Sequence, residues 1–162
     1  MRRLGTWDLW LGVLAFSLAT PAAFAQQHVI ETLAEAKWGP APPFLPPGAQ
    51  MEVLGGNPMG DSLFSLRLKF PAGYRIPAHS HPKDEHVTVL SGTLFMGMGD
   101  KLDTAAGKAL GVGDFGLMPA NANHFAYTKQ ETMILLHGQG PVEFRYVNPA
   151  DDPRNQKKPG AP

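Results

Sequence analysis

Three histidines and a glutamate lie within eight residues of one another in the stretch GYRIPAHSHPKDEHVTVLSG, residues 73–92. Alternate residues of a strand point to the same side, so His79 and His81 would present two imidazoles together. Glu85 follows a short turn and would bring a carboxylate beside them if the two strands are adjacent. This set suits a divalent transition ion such as Mn, Fe, Co, Ni, Cu or Zn. The stretch predicts a metal site, although surface histidines on an edge strand would give the same local pattern.

A fourth ligand is available from a second segment, GDFGLMPANANHFAYT, residues 113–128. A strand there leads into a proline turn, and His124 opens the return strand. Four protein ligands leave one or two positions open on an ion that takes five or six, and an open position marks a catalytic or ligand-binding centre. Glu85 is also the candidate for moving a proton, since no second acid or base is compelling.

The other histidines and the methionines are weaker candidates for metal ligands. His86 follows Glu85 directly, so strand alternation turns it to the opposite face, but a local bulge would exchange the two and make His86 a reserve ligand. His137 ends a predicted strand and would be structural or would orient a ligand from behind. Four methionines offer thioethers for copper or, more simply, flexible lining for a barrel: Met96, Met98, Met118 and Met133.

The segments that must position these residues are short and strand-like. Apolar and polar residues alternate in several of them, as in LFSLRLKF, and turn signals rich in Gly, Pro and Asn separate them. The pattern predicts an all-β sandwich or barrel without a long helix. The nine predicted strands are Met51–Leu54, Leu63–Phe70, Tyr74–Ser80, His86–Leu90, Thr93–Met98, Asp114–Met118, His124–Thr128, Met133–His137 and Val142–Val147.

The spacing of the two motifs resembles that of the cupin superfamily. Residues 73–92 follow the pattern G-x5-H-x-H-x3-E-x6-G of the first cupin motif, and residues 113–124 follow G-x5-P-x4-H of the second. Asn121 stands where a glycine is usual, and asparagine tolerates the left-handed conformation that such a turn needs. Thr128 stands where an asparagine is usual, but it lies past the ligand.

The resemblance implies a small double-stranded β-helix barrel, or jelly roll, from 51 to 147, with a metal in its mouth. By position the ligands would be His79, His81, Glu85 and His124. Cupins with this ligand set include dioxygenases, oxalate-degrading enzymes and isomerases, and others only bind ligands. We therefore expect a metal-dependent, dioxygenase-like oxidoreductase acting on a small oxygenated molecule, or a non-catalytic periplasmic protein that binds a metal or small ligand. The wider sequence is similar to exported bacterial single-domain cupins.

The first 25 residues resemble a secretory signal peptide. Two arginines precede a short apolar run, and Ala23-Phe24-Ala25 offers small residues for signal peptidase. The run is shorter than the roughly 20 residues needed to span a bilayer, so an anchor is disfavoured. We expect an exported protein, periplasmic or secreted, without membrane contact after cleavage. The arginine pair leaves twin-arginine export open beside the general pathway.

Two further segments flank the predicted barrel. Residues 26–50 form an arm whose proline-rich part, Trp38–Ala49, should be an extended strap anchored by Trp38 and Phe44. Residues 148–162 are polar and proline-rich and should form a flexible tail. Because edge strands need covering, we expect a homodimer in which the strap crosses to the partner.

The amino-acid composition limits which partners and which chemistry the protein can have. Lys and Arg number 14 and Asp and Glu also number 14, so no charge surplus recommends nucleic acid as a partner. The chain has no cysteine, which excludes disulfides, thiolate ligands and cysteine nucleophiles. Its partners are expected to be a small molecule and a second copy of the chain.

Overall fold

Eleven strands form two antiparallel sheets in the computed structural model, which describes residues 28–156 of the chain. One sheet has the order β1-β2-β3-β10-β5-β8 and the other has the order β11-β4-β9-β6-β7, as in a jelly roll. Among the described residues, no helix has the length and apolarity needed to cross a membrane. The strands are β1 (Gly39–Pro40), β2 (Gln50–Gly55), β3 (Leu63–Phe70), β4 (Arg75–Ser80), β5 (Glu85–Ser91), β6 (Leu94–Met98), β7 (Lys108–Leu110), β8 (Phe115–Met118), β9 (His124–Thr128), β10 (Thr132–Gln139) and β11 (Arg145–Tyr146). Three short 3-10 helices cover Leu33–Glu35, Pro149–Asp151 and Pro153–Asn155.

The core lies between the two sheets and is built by strand alternation. In β3, Leu66, Leu68 and Phe70 are buried between the sheets while the residues between them face outward. Phe70 is fully buried and stacks on Tyr74, with ring centroids 4.9 Å apart. The predicted all-β jelly roll is confirmed, because alternation in each strand supplies one apolar face to the space between the sheets.

The strand predictions fail where strands are very short. β1 and β7, of two and three residues, are absent from the predicted set. The last predicted strand, Val142–Val147, shrinks to the two residues of β11, because residues 141–144 leave the ladder and cover the mouth of the barrel. Alternation over two or three residues carries too little signal to predict a strand.

The proline-rich strap lies across the barrel of its own chain. The Tyr146 hydroxyl donates to the Phe44 carbonyl at 2.7 Å, and the Tyr74 hydroxyl donates to the Pro46 carbonyl. Leu45 is buried in the core. These anchors belong to the same chain, and the expected crossing of the strap to a partner stays a prediction. Trp38 lies beneath the Lys69 ammonium, 4.3 Å from the ring centroid.

Residues 148–156, the start of the predicted tail, form two 3-10 turns that contact the barrel. Asn148 and Asp152 each cap a 3-10 turn by accepting a backbone N–H two residues on. Arg154 donates to the Phe144 carbonyl at 2.9 Å and so attaches the tail to the barrel. The predicted signal peptide, residues 1–25, and the final residues 157–162 lie outside the described part of the chain.

Two motif glycines differ in what surrounds them. Gly92 and Gly73 have φ of 75° and 74°, a region that other residues rarely adopt. A Cβ on Gly92 would lie 2.4 Å from the Glu131 carbonyl oxygen and 2.9 Å from Thr132 Cα, whereas a Cβ on Gly73 would meet open space.

Replacing each of these glycines with alanine should therefore cost different amounts of stability. We expect Gly73→Ala to lower the free energy of unfolding by about 1–2 kcal/mol through backbone strain alone. Gly92→Ala should lower it by about 3 kcal/mol or more, because backbone atoms must also move. Urea unfolding of both variants checks this, and equal losses would contradict it.

Candidate metal centre

The four predicted ligands converge at one end of the barrel, and they come from both sheets. His79 in β4 lies directly opposite His124 in β9, and their ring centroids are 4.3 Å apart. His81 follows β4, and Glu85 begins β5 in the facing sheet. The sequence left open whether β4 and β5 are adjacent; they lie in different sheets, and His124 lies on β9, the direct neighbour of β4. The turn at residues 82–84 carries the chain from one sheet to the other, which places Glu85 across from the histidines.

Backbone carbonyls fix the orientation of all three imidazoles. His79 Nδ1 lies 2.7 Å from the Pro77 carbonyl oxygen, and His124 Nδ1 lies 3.0 Å from that of Ala122. His81 Nδ1 lies 2.7 Å from the carbonyl oxygen of Glu143. A carbonyl can only accept, so each Nδ1 carries a proton, and in the neutral imidazole Nε2 then carries the lone pair. This is the arrangement that holds metal-binding histidines in one tautomer.

The Nε2 atoms and the Glu85 carboxylate form a set of lone pairs without a protein donor. His81 Nε2 and His124 Nε2 are buried and have no hydrogen-bond partner within the described residues. They lie 3.5 and 3.6 Å from the two oxygens of Glu85, too far for a normal N–H···O bond. Two ligands about 2.0–2.2 Å from one ion lie about 3.0–3.5 Å apart at ordinary coordination angles. One ligand atom from each histidine lies within 4.8 Å of the others, so the three histidines could hold a metal ion.

The charge states of the site also match a metal centre. Burial lowers the pKa of His79 to about 3, and repulsion from His124 and His81 adds to this effect. Burial raises the pKa of Glu85, but the neighbouring His81, His124 and His79 outweigh this effect and bring the pKa to about 2. At neutral pH His79 is therefore neutral and Glu85 ionised, which are the forms that bind divalent ions.

The loop that contains Glu143 and Phe144, which the sequence did not mark as functional, packs against the histidines. Phe144 stacks on His79, with centroids 4.5 Å apart and planes 11° apart, and meets His81 edge-on at 4.5 Å. Its neighbour Glu143 supplies the carbonyl that holds His81. On the other side, the Asn121 N–H donates to the His81 carbonyl at 2.7 Å, and Asn121 has the expected left-handed conformation with φ of 63°. These contacts join segments up to 62 residues apart, which motif spacing does not reveal.

Truncating Phe144 should loosen two ligands without removing either. We expect Phe144→Ala to weaken zinc binding by about 10–100-fold, the range typical for residues that orient metal ligands. Chelator competition measures the affinity. Phe95→Ala is the matched control, because Phe95 stacks on Tyr127 away from the histidines, 4.8 Å between centroids. An unchanged affinity in Phe144→Ala would contradict the orienting role.

The structure places the remaining candidates away from the ligands. His86 points outward and lies opposite His137 of β10, with centroids 4.9 Å apart. The pairing of β5 and β10 is regular at His86, so no bulge exchanges His86 with Glu85. His137 faces His86 and does not orient any of the predicted ligands. Among the methionines, Met96 and Met118 belong to the barrel core, Met133 is buried outside that core, and Met98 is exposed.

A cavity of about 80 Å³ extends from the ligands into the barrel. His79, Glu85 and His124 border it, and every other side chain around it is apolar. Phe44 of the strap and Phe144 stack on each other at its mouth, with centroids 4.8 Å apart. A metal ion held by these residues would face a small apolar space.

The model of one protein family, described as the ChrR cupin-like domain, matches residues 26–143, most of the chain. The chain belongs to the ChrR cupin-like family. This membership confirms the predicted relation to the cupin superfamily and agrees with a histidine triad that could bind metal. A comparison with curated proteins found no match.

Solved structures share the fold of this ChrR cupin-like chain at low sequence identity. The polyketide cyclase RemF from Streptomyces resistomycificus is 17% identical, with a TM-score of 0.62 over 78% of this chain and 90% of RemF. A candidate acetylacetone dioxygenase from Methylibium petroleiphilum is 21% identical, with a TM-score of 0.59 over 79% and 86% of the two chains. An RmlC-like cupin from Shewanella frigidimarina is 17% identical, with a TM-score of 0.54 over 70% and 92%. These identities establish the barrel alone.

Proposed function

We propose that this protein is a metal-dependent cupin that holds one divalent transition ion through His79, His81, Glu85 and His124. In this proposal it acts as a dioxygenase-like oxidoreductase on a small oxygenated molecule. The observation that carries the proposal is the pair of buried, partnerless Nε2 atoms facing the Glu85 carboxylate. Lone pairs gathered in this way repel one another unless a cation lies among them.

The side chains around the proposed metal ion have different roles. A bound ion would supply Lewis acidity and, if redox-active, electron transfer to O₂. The three imidazoles hold it in fixed orientations through their Nδ1 hydrogen bonds. Glu85 Oε1 or Oε2 would accept a substrate proton, since no other carboxylate of the described part of the chain borders the cavity. The apolar walls exclude water from the reacting molecule.

A second candidate function is non-catalytic binding or sensing of a small ligand at the same centre. The observation that favours it is the lining of the cavity, where no acid or base besides the predicted ligands is present among the described residues. An enzyme that needs a separate proton donor would lack one here. Binding alone needs only the ion and the apolar walls.

Metal analysis followed by O₂-uptake screening separates the two functions. The full chain, purified without chelators, should contain about one transition ion per molecule. Consumption of O₂ with a diketone, a flavonol or oxalate would support the enzyme. Metal content with neither O₂ uptake nor turnover would favour the binding protein, and absence of metal would overturn both.

Export and dimerisation are parts of the same proposal. The signal-like residues 1–25 support a periplasmic or secreted location. The exposed Phe115 and Leu117 on the edge strand β8 support a homodimer, because apolar edges favour covering. Cell fractionation and light scattering at micromolar concentration test these points. A cytoplasmic, uncleaved chain would contradict export, and a monomeric mass would contradict the dimer.

A further inference from the structure

We infer that the ligand of this centre is a compact, uncharged molecule whose chelating oxygens meet the ion while its hydrocarbon part enters the barrel. The inference rests on the proposed function for the position of the oxygens. The chemistry of the cavity wall, which is independent of any metal, determines what the rest of the ligand must be.

The wall offers nothing to a charged or hydrogen-bonding substituent. Beyond His79, Glu85 and His124, the lining contains aliphatic, aromatic, proline and methionine side chains only. Residues such as Val87, Ile134 and Leu136 line it and are at most 7% exposed. Burying a carboxylate against such a wall without a partner is strongly unfavourable. Among residues 28–156, no lysine or arginine borders the cavity to offset that cost.

The volume limits the size of the buried part. The cavity holds about 80 Å³. A cavity of about 150 Å³ lined by apolar side chains is enough for benzene. The inner space therefore fits a few carbon atoms and not a sugar ring or a flavonol nucleus. Phe44 and Phe144 stack across the mouth, and the Tyr146 hydroxyl holds the Phe44 carbonyl, so the space does not widen unless the strap moves.

Acetylacetone and malonate form a matched pair of probes. Both have seven non-hydrogen atoms and chelate a metal through two oxygens three carbons apart. In acetylacetone the remaining substituents on the two outer carbons are methyl groups, and in malonate they are charged oxygens. Those substituents are the atoms that would face the apolar wall, so the wall should favour the diketone.

The test is methyl NMR on the full mature chain, with the signals of Val87, Ile134 and Leu136 as reporters, in the zinc-loaded and in the metal-free protein. Acetylacetone should shift these methyl signals in the zinc-loaded protein, with a Kd at least tenfold lower than that of malonate. Filling the cavity with Ala126→Leu should weaken acetylacetone binding at least tenfold. Ala109→Leu, on the exposed edge strand β7, should leave it unchanged.

The outcomes distinguish the inference from the proposed function. Equal or tighter binding of malonate, or acetylacetone binding that shifts none of the three reporters, would overturn the inference with the metal centre intact. Failure to take up zinc would overturn the proposed function. In that case the metal-free protein tests the cavity-wall part of the inference alone. Cavity shifts with acetylacetone and not with malonate would support an uncharged ligand with a buried hydrocarbon part, and no shift would overturn it. Ala126→Val provides the same comparison with a smaller added volume if Ala126→Leu does not fold.

Discussion

Replacing His79 and His81 together with alanine is expected to remove bound metal almost completely. The wild-type chain should carry about one ion per molecule, and the double variant should carry less than about a tenth of that. Two of the three imidazoles with a free Nε2 are then gone, and Glu85 and His124 alone make a weak site. Elemental analysis after gel filtration gives the stoichiometry, and circular dichroism shows whether the β-structure persists.

The matched control is another histidine pair, in the six-stranded sheet. His86 and His137 lie opposite each other on β5 and β10, on the outer face. His86→Ala/His137→Ala should therefore keep the full metal content. Loss of metal in the outer pair, or its retention in the His79/His81 variant with a folded spectrum, would show that the wrong histidines were assigned.

Replacing Glu85 with glutamine removes the negative charge of the proposed fourth ligand while keeping its shape nearly unchanged. The amide is close in size to the carboxylate but neutral, so it no longer offsets the charge of a divalent ion. Removing residues that only orient ligands costs about 10–100-fold in metal affinity, so we expect a loss of at least about 100-fold here. Competition with a chelator of known affinity measures the change.

Glu143→Gln is the control for this substitution. The Glu143 carbonyl holds His81, but its side chain is half exposed and pairs with Arg145 at 3.0 Å. Removing the charge of Glu143 should leave metal affinity within about twofold, because exposed ion pairs contribute little. Equal affinities of wild type and Glu85→Gln would mean that the centre is held by histidines alone.

Local sequence patterns predicted much of the strand framework and the site. Alternation in Leu63–Phe70 gave both its exact bounds and its buried face. The spacing of His79, His81 and Glu85 put three side chains at the end of β4 and the start of β5, where the structure has them. Such predictions succeed because they depend on contacts between residues close in the chain.

Sequence patterns could not predict how distant segments meet. Whether Glu85 lies in the sheet of His79 or in the facing sheet depends on strand order, which is a property of the whole barrel. Phe144 looks like an ordinary apolar residue in sequence, and only the folded chain puts its ring against His79 and His81. Thr128, a departure from the second cupin motif, donates to the Pro71 carbonyl at 2.7 Å and accepts from the Tyr74 N–H at 3.1 Å, a structural role that motif matching does not assign.

The central claim is that one divalent ion binds among His79, His81, Glu85 and His124 through the nitrogens that the backbone leaves free. A crystal structure of the metal-loaded protein, with anomalous scattering collected at the absorption edge of the ion, tests it most directly. We predict one anomalous peak about 2.0–2.2 Å from the three Nε2 atoms and from a Glu85 oxygen. A peak at the His86–His137 pair, coordination through Nδ1, or no peak at all would contradict the account.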